Sequence, residues 1–395
     1  MSEFYIQNQE IIEGSSRLIK KKKIFNRLNY FLENMHNNKA YVEFLKKNKK
    51  EDTDGTILEN FKKKFQQYRI NWKEFPRKMY ENKINDYNNF DFDDHGPLCV
   101  DIETAAICDL ACPHCYREYI LTPDKIMKFE NYRKIIDEIS ELKVPSIKLN
   151  WRGEPLLNPN INKFIEYAKI KGILEVSINT NATNLNDKTA KSLIESGLDF
   201  MIYSFDGGTK QTYEKMRPGR FKKNNFETVY NNIKNFYAIR KEMQAKFPVT
   251  KIQMVLTSDT RNELKNFYDL FNNYVDDVTV TPYSERGGNL DDLNDTQKQK
   301  IQNYLKKNNI KNDLNYKVNT EDQISIENGR RPCEQIFQRL MITYDGRVAM
   351  CCMDWGAKHC VGYTSQEGFD INKTLIELKK KIDTNQKGFE LLVNA

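Results

Sequence analysis

Hydrophobic positions follow two alternating spacings through the middle of the chain. Short apolar runs of strand length are followed by stretches with apolar residues three and four positions apart, the spacing of an amphipathic helix. Such helices are predicted at 129–142, 161–171, 187–196, 225–246 and 262–274. The strands are predicted at Leu98–Thr104, Ser146–Trp151, Leu174–Thr180, Phe200–Phe205, Lys251–Leu256 and Asp277–Pro282.

These repeated strand–helix units predict an α/β fold. Units of this size favour a parallel sheet with right-handed crossovers. Six of them fall short of a closed eight-fold barrel, so we predict a partial (β/α)6 TIM-like barrel over residues 96–290.

The pattern changes on both sides of this predicted barrel. Residues 1–95 show a weak helical pattern and are predicted to form an N-terminal helical accessory region. Beyond residue 290 we predict helices at 296–307 and 375–382, with a hairpin around Asp345-Gly346, because Asp-Gly suits a tight turn. Residues 291–395 are therefore expected to form a small C-terminal domain.

Composition and charge argue against some classes of function. The 395 residues contain 62 Lys and Arg against 55 Asp and Glu, and this mild excess makes a nucleic-acid partner unlikely. No apolar run approaches the roughly 20 residues of a membrane span, and the first residues do not resemble a signal peptide. We therefore expect a cytoplasmic protein with no membrane partner. In a reducing compartment, eight cysteines indicate metal or redox chemistry rather than disulfides.

Three cysteines directly follow the first predicted strand, where parallel sheets carry their sites. Cys108, Cys112 and Cys115 have the spacing Cys-x3-Cys-x2-Cys, which can wrap three thiolates around one metal centre. Iron–sulfur clusters usually take four Cys ligands, so three would leave one position open for chemistry. A structural zinc ion with His114 as its fourth ligand is the alternative.

Together with the six-fold array, this motif resembles the radical S-adenosylmethionine (SAM) superfamily. The segment 151–155, Trp-Arg-Gly-Glu-Pro, resembles the family's Gly-Gly-Glu-Pro segment, which binds the SAM amino group; Arg152 stands where the first glycine is common. Segments 177–183 and 204–208 resemble the family's third-strand and fourth-strand segments, and Arg217 matches a further recurring pattern.

The resemblance implies a [4Fe-4S] cluster on the three cysteines and a bound SAM molecule. It also implies one-electron reduction of SAM, C–S cleavage and a 5′-deoxyadenosyl radical that takes hydrogen from a substrate. An electron donor such as flavodoxin or ferredoxin would then be a partner. Turn or capping roles remain the alternative for four of the candidates, Asn179, Asn181, Asp206 and Arg217. The full set of candidate SAM-binding residues is Tyr116, Gly153, Glu154, Asn179, Asn181, Ser204, Asp206 and Arg217.

A second cysteine group lies near the C-terminus. Cys333 followed by Gly346-x4-Cys351 resembles the SPASM or shorter twitch extension, which holds auxiliary [4Fe-4S] clusters. The resemblance implies Cys333, Cys351 and Cys360 as ligands of one auxiliary cluster, because the cysteines are too few for two. Candidates for the last ligand are Cys352, Asp354 and His359. A module that binds zinc or nothing is the alternative.

The sequence says less about the substrate than about the cofactors. Radical SAM proteins with such extensions act on peptides, sulfatase residues and sugar alcohols. We predict an oxidoreductase acting on a sugar or other small molecule, with a peptide- or protein-modifying maturase and a non-enzymatic zinc scaffold as alternatives. After the sixth strand, Glu285 or Tyr283 is a candidate base for alcohol oxidation, and Arg286 is a candidate to hold a carboxylate or phosphate. Simple strand termination is the alternative for these three.

Overall fold

The structure is a computed structural model. It describes residues 26–38, 56–81, 97–115, 117, 123–282, 316–318, 324–326, 335, 338–349, 351–357 and 359–364. The helices predicted at 296–307 and 375–382 lie outside the described residues. The domain boundaries near residues 95 and 290 stay predictions.

The helices and strands follow the predicted alternation closely. The α-helices are α1 Arg27–Asn34, α2 Thr56–Glu81, α3 Phe129–Glu141, α4 Ile161–Ile170, α5 Asp187–Glu195, α6 Lys210–Met216, α7 Phe226–Glu242 and α8 Leu264–Phe271. The strands are β1 Cys99–Ile102, β2 Ser146–Lys148, β3 Glu175–Thr180, β4 Phe200–Ser204, β5 Val249–Leu256, β6 Asp277–Pro282, β7 Tyr316–Val318, β8 Ile324–Ile326, β9 Arg339–Ile342, β10 Arg347–Ala349 and β11 Cys360–Tyr363.

Strands β1 to β6 form one parallel sheet in sequence order. The sheet continues past β1 and has the order β11-β10-β9-β1-β2-β3-β4-β5-β6, so its described edges, β11 and β6, do not pair with each other. The predicted partial barrel is confirmed.

Some element ends differ from the predictions. The helix predicted at 225–246 ends at Glu242, four residues early, and β5 begins at Val249 rather than Lys251. The short helix α6 was not predicted, because its seven residues carry too few turns for a periodic pattern. Thr209 caps α6, and Glu263 from the β5–α8 connection binds Gly208 N and the Thr212 hydroxyl.

The C-terminal hairpin belongs to the same sheet as the barrel strands. Strand β9 runs parallel to β1, and β10 pairs antiparallel with β9. Isolated hairpins are marginally stable in water, whereas pairing with β1 buries Leu340 and Ile342 in the main core. The described cysteines of the second group are thereby placed near the first group.

Helices α1 and α2 close the amino-terminal ends of the strands. The rings of Phe31 and Phe65 stack at 4.9 Å, and Phe247 meets Phe31 edge-on at 5.0 Å. These aromatic side chains pack against Leu98 and Val249, where two strands begin. The opposite, carboxyl-terminal end is therefore where the connecting loops can build a site. No helix within the described ranges combines the length and the apolar character that crossing a bilayer requires.

Candidate functional site

The first cysteine group lies in the loop after β1, and this loop is held by backbone hydrogen bonds to the segment after α6. Ala111 N donates to Pro218 O at 2.9 Å, and Arg220 N donates to Asp109 O at 2.8 Å. Cys115 N donates to Cys112 O at 2.9 Å, which folds the second half of the motif into a turn. These backbone hydrogen bonds within the protein therefore hold the cysteine loop in place.

The thiols of this loop are close enough to influence one another. Burial raises the pKa of Cys108 well above its ordinary value, and the negative charges of Glu154, Cys112 and Cys115 raise it further. Thiolates here therefore need a compensating positive charge, which iron supplies. In the described part of the chain, no three His, Cys, Asp or Glu side chains converge on a single ion. Iron–sulfur clusters are held by Cys thiolates, so the three thiols of this loop are suitable ligands for such a cluster.

Gly153 brings the loop after β2 directly against the cysteine loop. Its φ is +69°, and a Cβ at this position would lie 2.1 Å from Ala105 O and 2.8 Å from Ile107 O. The next residue, Glu154, donates its N–H to Ile107 O at 2.8 Å. Backbone packs on backbone here, so only glycine fits.

We expect Gly153→Ala to lose most of the iron bound at the first cysteine group. A left-handed φ costs a residue with a Cβ about 1–3 kcal/mol, and the clash with Ala105 O would also displace the cysteine loop. Gly172→Ala is the matched control, because Gly172 has φ +88° but nothing within 4 Å of its Cβ position. Iron analysis and thermal melting of both variants test this. Equal iron content in the two variants would contradict the packing argument.

Glu154 presents a buried carboxylate whose hydrogen-bond donors are all neutral. It is 2% exposed and accepts hydrogen bonds from the Thr180 hydroxyl at 2.7 Å, Asn181 N at 2.7 Å and Leu156 N at 3.0 Å. Burial raises its pKa to about 7, although these hydrogen bonds act in the opposite direction. Among the described residues, no basic side chain forms an ion pair with it. A ligand ammonium would supply the missing charge.

The two asparagines of β3 and its following loop have different surroundings. Asn181 is buried, and its amide donates to Asp109 Oδ1 at 2.8 Å and lies 4.0 Å from Cys108 Sγ, so it supports the cysteine loop. Asn179 Oδ1 is buried without a hydrogen-bond partner in the described part of the chain, which fits an oxygen waiting for a ligand donor. Ser204 is half-buried at the end of β4.

Asp206 and Arg217 form a fully buried ion pair that reaches the cysteine loop. Arg217 Nη2 lies 2.7 Å from Asp206 Oδ2, and His114 Nε2 lies 3.2 Å from the same oxygen. Burial raises the pKa of Asp206, but Arg217 and His114 more than offset it and hold that pKa well below its usual range. This pair ties the β4 loop to His114, between two of the cysteines.

Three cysteines of the second group are described: Cys351 and Cys352 lie in the connection between β10 and β11, and Cys360 is the first residue of β11. Cys351 Sγ accepts from Met353 N at 3.3 Å, and the Cys360 thiol donates to Ala357 O at 2.9 Å. The apolar cluster beside this loop is formed by Trp151, Met341, Ala349, Trp355 and Ala357, and three cysteines from both groups pack against it, Cys115, Cys352 and Cys360. The structure therefore brings the two cysteine groups together across one apolar cluster. The predicted residues Tyr116, Tyr283, Glu285, Arg286 and Cys333 lie outside the described residues.

Comparison with known protein families identifies the domains that carry the two cysteine groups. Residues 102–271 match the radical SAM superfamily, and residues 333–384 match the SPASM iron–sulfur cluster-binding domain. The chain carries a radical SAM domain and a SPASM domain. Its radical SAM domain uses a [4Fe-4S] cluster and SAM, and its SPASM domain is an iron–sulfur cluster-binding domain.

Individual relatives match only part of this radical SAM–SPASM chain. An uncharacterized protein of Methanocaldococcus jannaschii is 31% identical over 181 residues, which is 45% of this chain and 55% of the relative. The mycofactocin maturase MftC of Mycobacterium ulcerans is 25% identical over 217 residues, 53% of this chain and 56% of the relative. The chain thus spans about half the length of these curated relatives. The crystal structure of Streptococcus suis SuiB bound to precursor peptide SuiA has a TM-score of 0.49 at 17% identity, covering 72% of this chain and 64% of that one.

Sequence reasoning did not include in the candidate site three buried polar residues that contact its loops. Glu103, at the end of β1, was noted only as part of a general likeness, and Arg152 only as a departure from the family pattern. Thr180, which donates to Glu154, lies in the segment 177–183 but was not singled out as a candidate. All three are buried polar side chains at or just after the end of a strand. Polar residues in these positions are the feature by which a sequence analysis could have found them.

Proposed function

We propose that this enzyme cleaves SAM reductively and uses it to oxidise a substrate held at the carboxyl-terminal end of the sheet. The observation that carries the proposal is the buried Glu154 carboxylate, which lies against the cysteine loop and has no basic partner in the described residues. The cluster, when bound, supplies the electron that generates a 5′-deoxyadenosyl radical from SAM.

The protein's own residues would hold and orient these groups. Cys108, Cys112 and Cys115 would ligate the cluster, and Glu154 would bind the SAM ammonium through a charge-assisted hydrogen bond. Gly153 would allow the close approach of the two loops. Of the remaining candidates, Asn179 Oδ1 and Ser204 would bind SAM directly, whereas Asn181, Asp206 and Arg217 would support the cysteine loop that they contact.

The C-terminal group would hold one auxiliary [4Fe-4S] cluster. Cys351 follows β10 and Cys360 begins β11, and Cys333 would be the third ligand. Asp354 is buried near this loop and binds His359 N at 2.9 Å, so its carboxylate orders the segment between the ligands. We propose a flavodoxin or ferredoxin as the source of electrons.

For the substrate we propose a peptide, with a sugar or other small molecule as the second class. The relative named as a maturase, matched over 53% of this chain, favours the peptide. The sugar substrate remains a prediction from sequence likeness, as does the catalytic role of Tyr283, Glu285 and Arg286.

Deuterium transfer would test both the reaction and the substrate class. The anaerobically reconstituted enzyme, with dithionite and SAM, is given extract of source cells grown in heavy water, separated into peptide and small-molecule fractions. We expect deuterium in 5′-deoxyadenosine with the peptide fraction, and loss of that transfer after protease treatment. Transfer only from the protease-resistant small-molecule fraction would reverse the substrate assignment. Absence of 5′-deoxyadenosine in every arm would overturn the proposed reaction.

A further inference from the structure

Arg152 is the residue at which this chain departs from the pattern of its family, and its side chain is 3% exposed. Its guanidinium makes two parallel hydrogen bonds to Glu103, from Nε to Oε1 at 2.7 Å and from Nη2 to Oε2 at 2.8 Å. Its third nitrogen, Nη1, donates to Trp355 O at 2.5 Å. One buried side chain therefore joins the end of β1 to the C-terminal cysteine loop.

Neighbouring contacts strengthen the same connection. Glu103 is fully buried, and its Oε2 also accepts from Tyr344 N, in the β9–β10 turn, at 3.1 Å. Trp151, the residue before Arg152, donates its indole N–H to Cys352 O at 3.2 Å. Two consecutive residues thus bind two carbonyl groups of the C-terminal cysteine loop.

The segment Trp151–Glu154 contacts both cysteine loops. Trp151 and Arg152 hold the C-terminal loop, residues 351–357, whereas Gly153 and Glu154 pack against the first cysteine loop. A small residue in place of Arg152 would remove the bonds to Glu103 and Trp355 and leave a buried carboxylate unpaired.

We propose that Arg152 is a positioning residue that fixes the C-terminal cysteine loop, residues 351–357, against the segment Trp151–Glu154. The radical SAM domain would thereby order this loop, which carries the proposed auxiliary cluster ligand Cys351. An arginine is required because its planar fork can bind a carboxylate with two nitrogens and a carbonyl with the third. A lysine has one ammonium and cannot span both partners in this geometry. The proposal is tested by hydrogen exchange and by iron content, and only the iron measurement rests on the proposed auxiliary cluster.

The test uses one double variant and a matched control. Arg152→Met/Glu103→Gln removes both charges together, so no buried ion is left unpaired. Arg240→Met/Asp276→Asn removes a partly buried arginine–carboxylate fork, with bonds of 2.6 and 3.1 Å, at the amino-terminal ends of β5 and β6. Arg152→Lys keeps a positive charge opposite Glu103 but removes the guanidinium that bonds both Glu103 and Trp355 O. It therefore separates the effect of losing the guanidinium hydrogen bonds from the effect of losing the ion pair.

Hydrogen exchange of the backbone amides and iron content are measured on each full-length protein. In Arg152→Met/Glu103→Gln we expect exchange of the amides of Asp354, Trp355 and Ala357 to quicken about tenfold or more, with helix α7 unchanged. Iron should fall from about eight to about four per chain, with loss of the auxiliary cluster's paramagnetic resonance signal. Arg152→Lys should retain the melting temperature but show the quickened loop exchange.

Loop exchange and iron content equal to those of the Arg240→Met/Asp276→Asn control would overturn the proposal. So would normal loop exchange in Arg152→Lys. If the wild type itself holds only about four irons, the auxiliary cluster is wrong, but the exchange rates still decide whether Arg152 orders the loop.

Discussion

Replacing Cys112 with alanine is expected to abolish SAM cleavage and remove about four irons per chain. The reconstituted wild type should hold about eight irons, since a four-iron cluster at each cysteine group gives that total. Cys112 is buried in the first cysteine loop, where its thiolate is one of the three expected cluster ligands. Iron and sulfide analysis, followed by chromatography of 5′-deoxyadenosine after addition of dithionite and SAM, measures both effects.

Cys99→Ala is the control for this experiment. Cys99 is also a buried cysteine, but it lies in β1, and burial together with the charge of Asp101 raises its pKa to about 12. It therefore stays a protonated thiol, and its loss should leave the iron content unchanged. A Cys112→Ala protein that keeps eight irons, or a Cys99→Ala protein that loses four, would refute the ligand assignment.

Replacing Glu154 with glutamine is expected to weaken SAM binding by about 10- to 100-fold. This range corresponds to a charge-assisted hydrogen bond of about 1.5–3 kcal/mol. The carboxylate is buried beside the cysteine loop, where water cannot replace it as a partner for the SAM ammonium. Equilibrium binding of SAM to the reconstituted protein measures the loss.

Thr180→Val separates the charge of Glu154 from its hydrogen bonds. This variant removes the hydroxyl that donates to Glu154 at 2.7 Å but leaves the carboxylate ionisable. We expect it to bind SAM within a few-fold of the wild type. Iron content and melting temperature of both variants report whether the loop remains folded. The assignment fails if Thr180→Val weakens binding as much as Glu154→Gln, or if Glu154→Gln binds SAM normally.

Much of the barrel follows from local sequence pattern. The six parallel strands and five of the helices were predicted with ends a few residues from those observed, because apolar periodicity reports which face of an element is buried. The helix α6 was missed, since it is short and depends on Glu263, which is distant in sequence.

The candidate site residues divide in the same way. Cys108, Cys112, Cys115 and Glu154 were predicted because their motifs are short and follow strands, and the fold brings their two loops into contact. The separate roles of Asn179 and Asn181 were not predictable. Both match the same motif, but only the packed structure shows that the Asn181 amide is engaged with Asp109 while Asn179 Oδ1 has no partner in the described residues.

Local sequence was enough to predict the strand–helix alternation, the metal chemistry of the cysteine motif and the resemblance to radical SAM proteins. These depend on spacings of two to about seven residues, which the local chain geometry converts directly into faces and loops. The pairing of β9 with β1, and the Arg152 side chain that joins Glu103 to Trp355, became visible in the folded chain alone. Those partners lie 49 and 203 positions away from Arg152, and no local periodicity records which buried charge meets which carbonyl. Their pairing follows from the need to satisfy polar groups once the sheet has buried them.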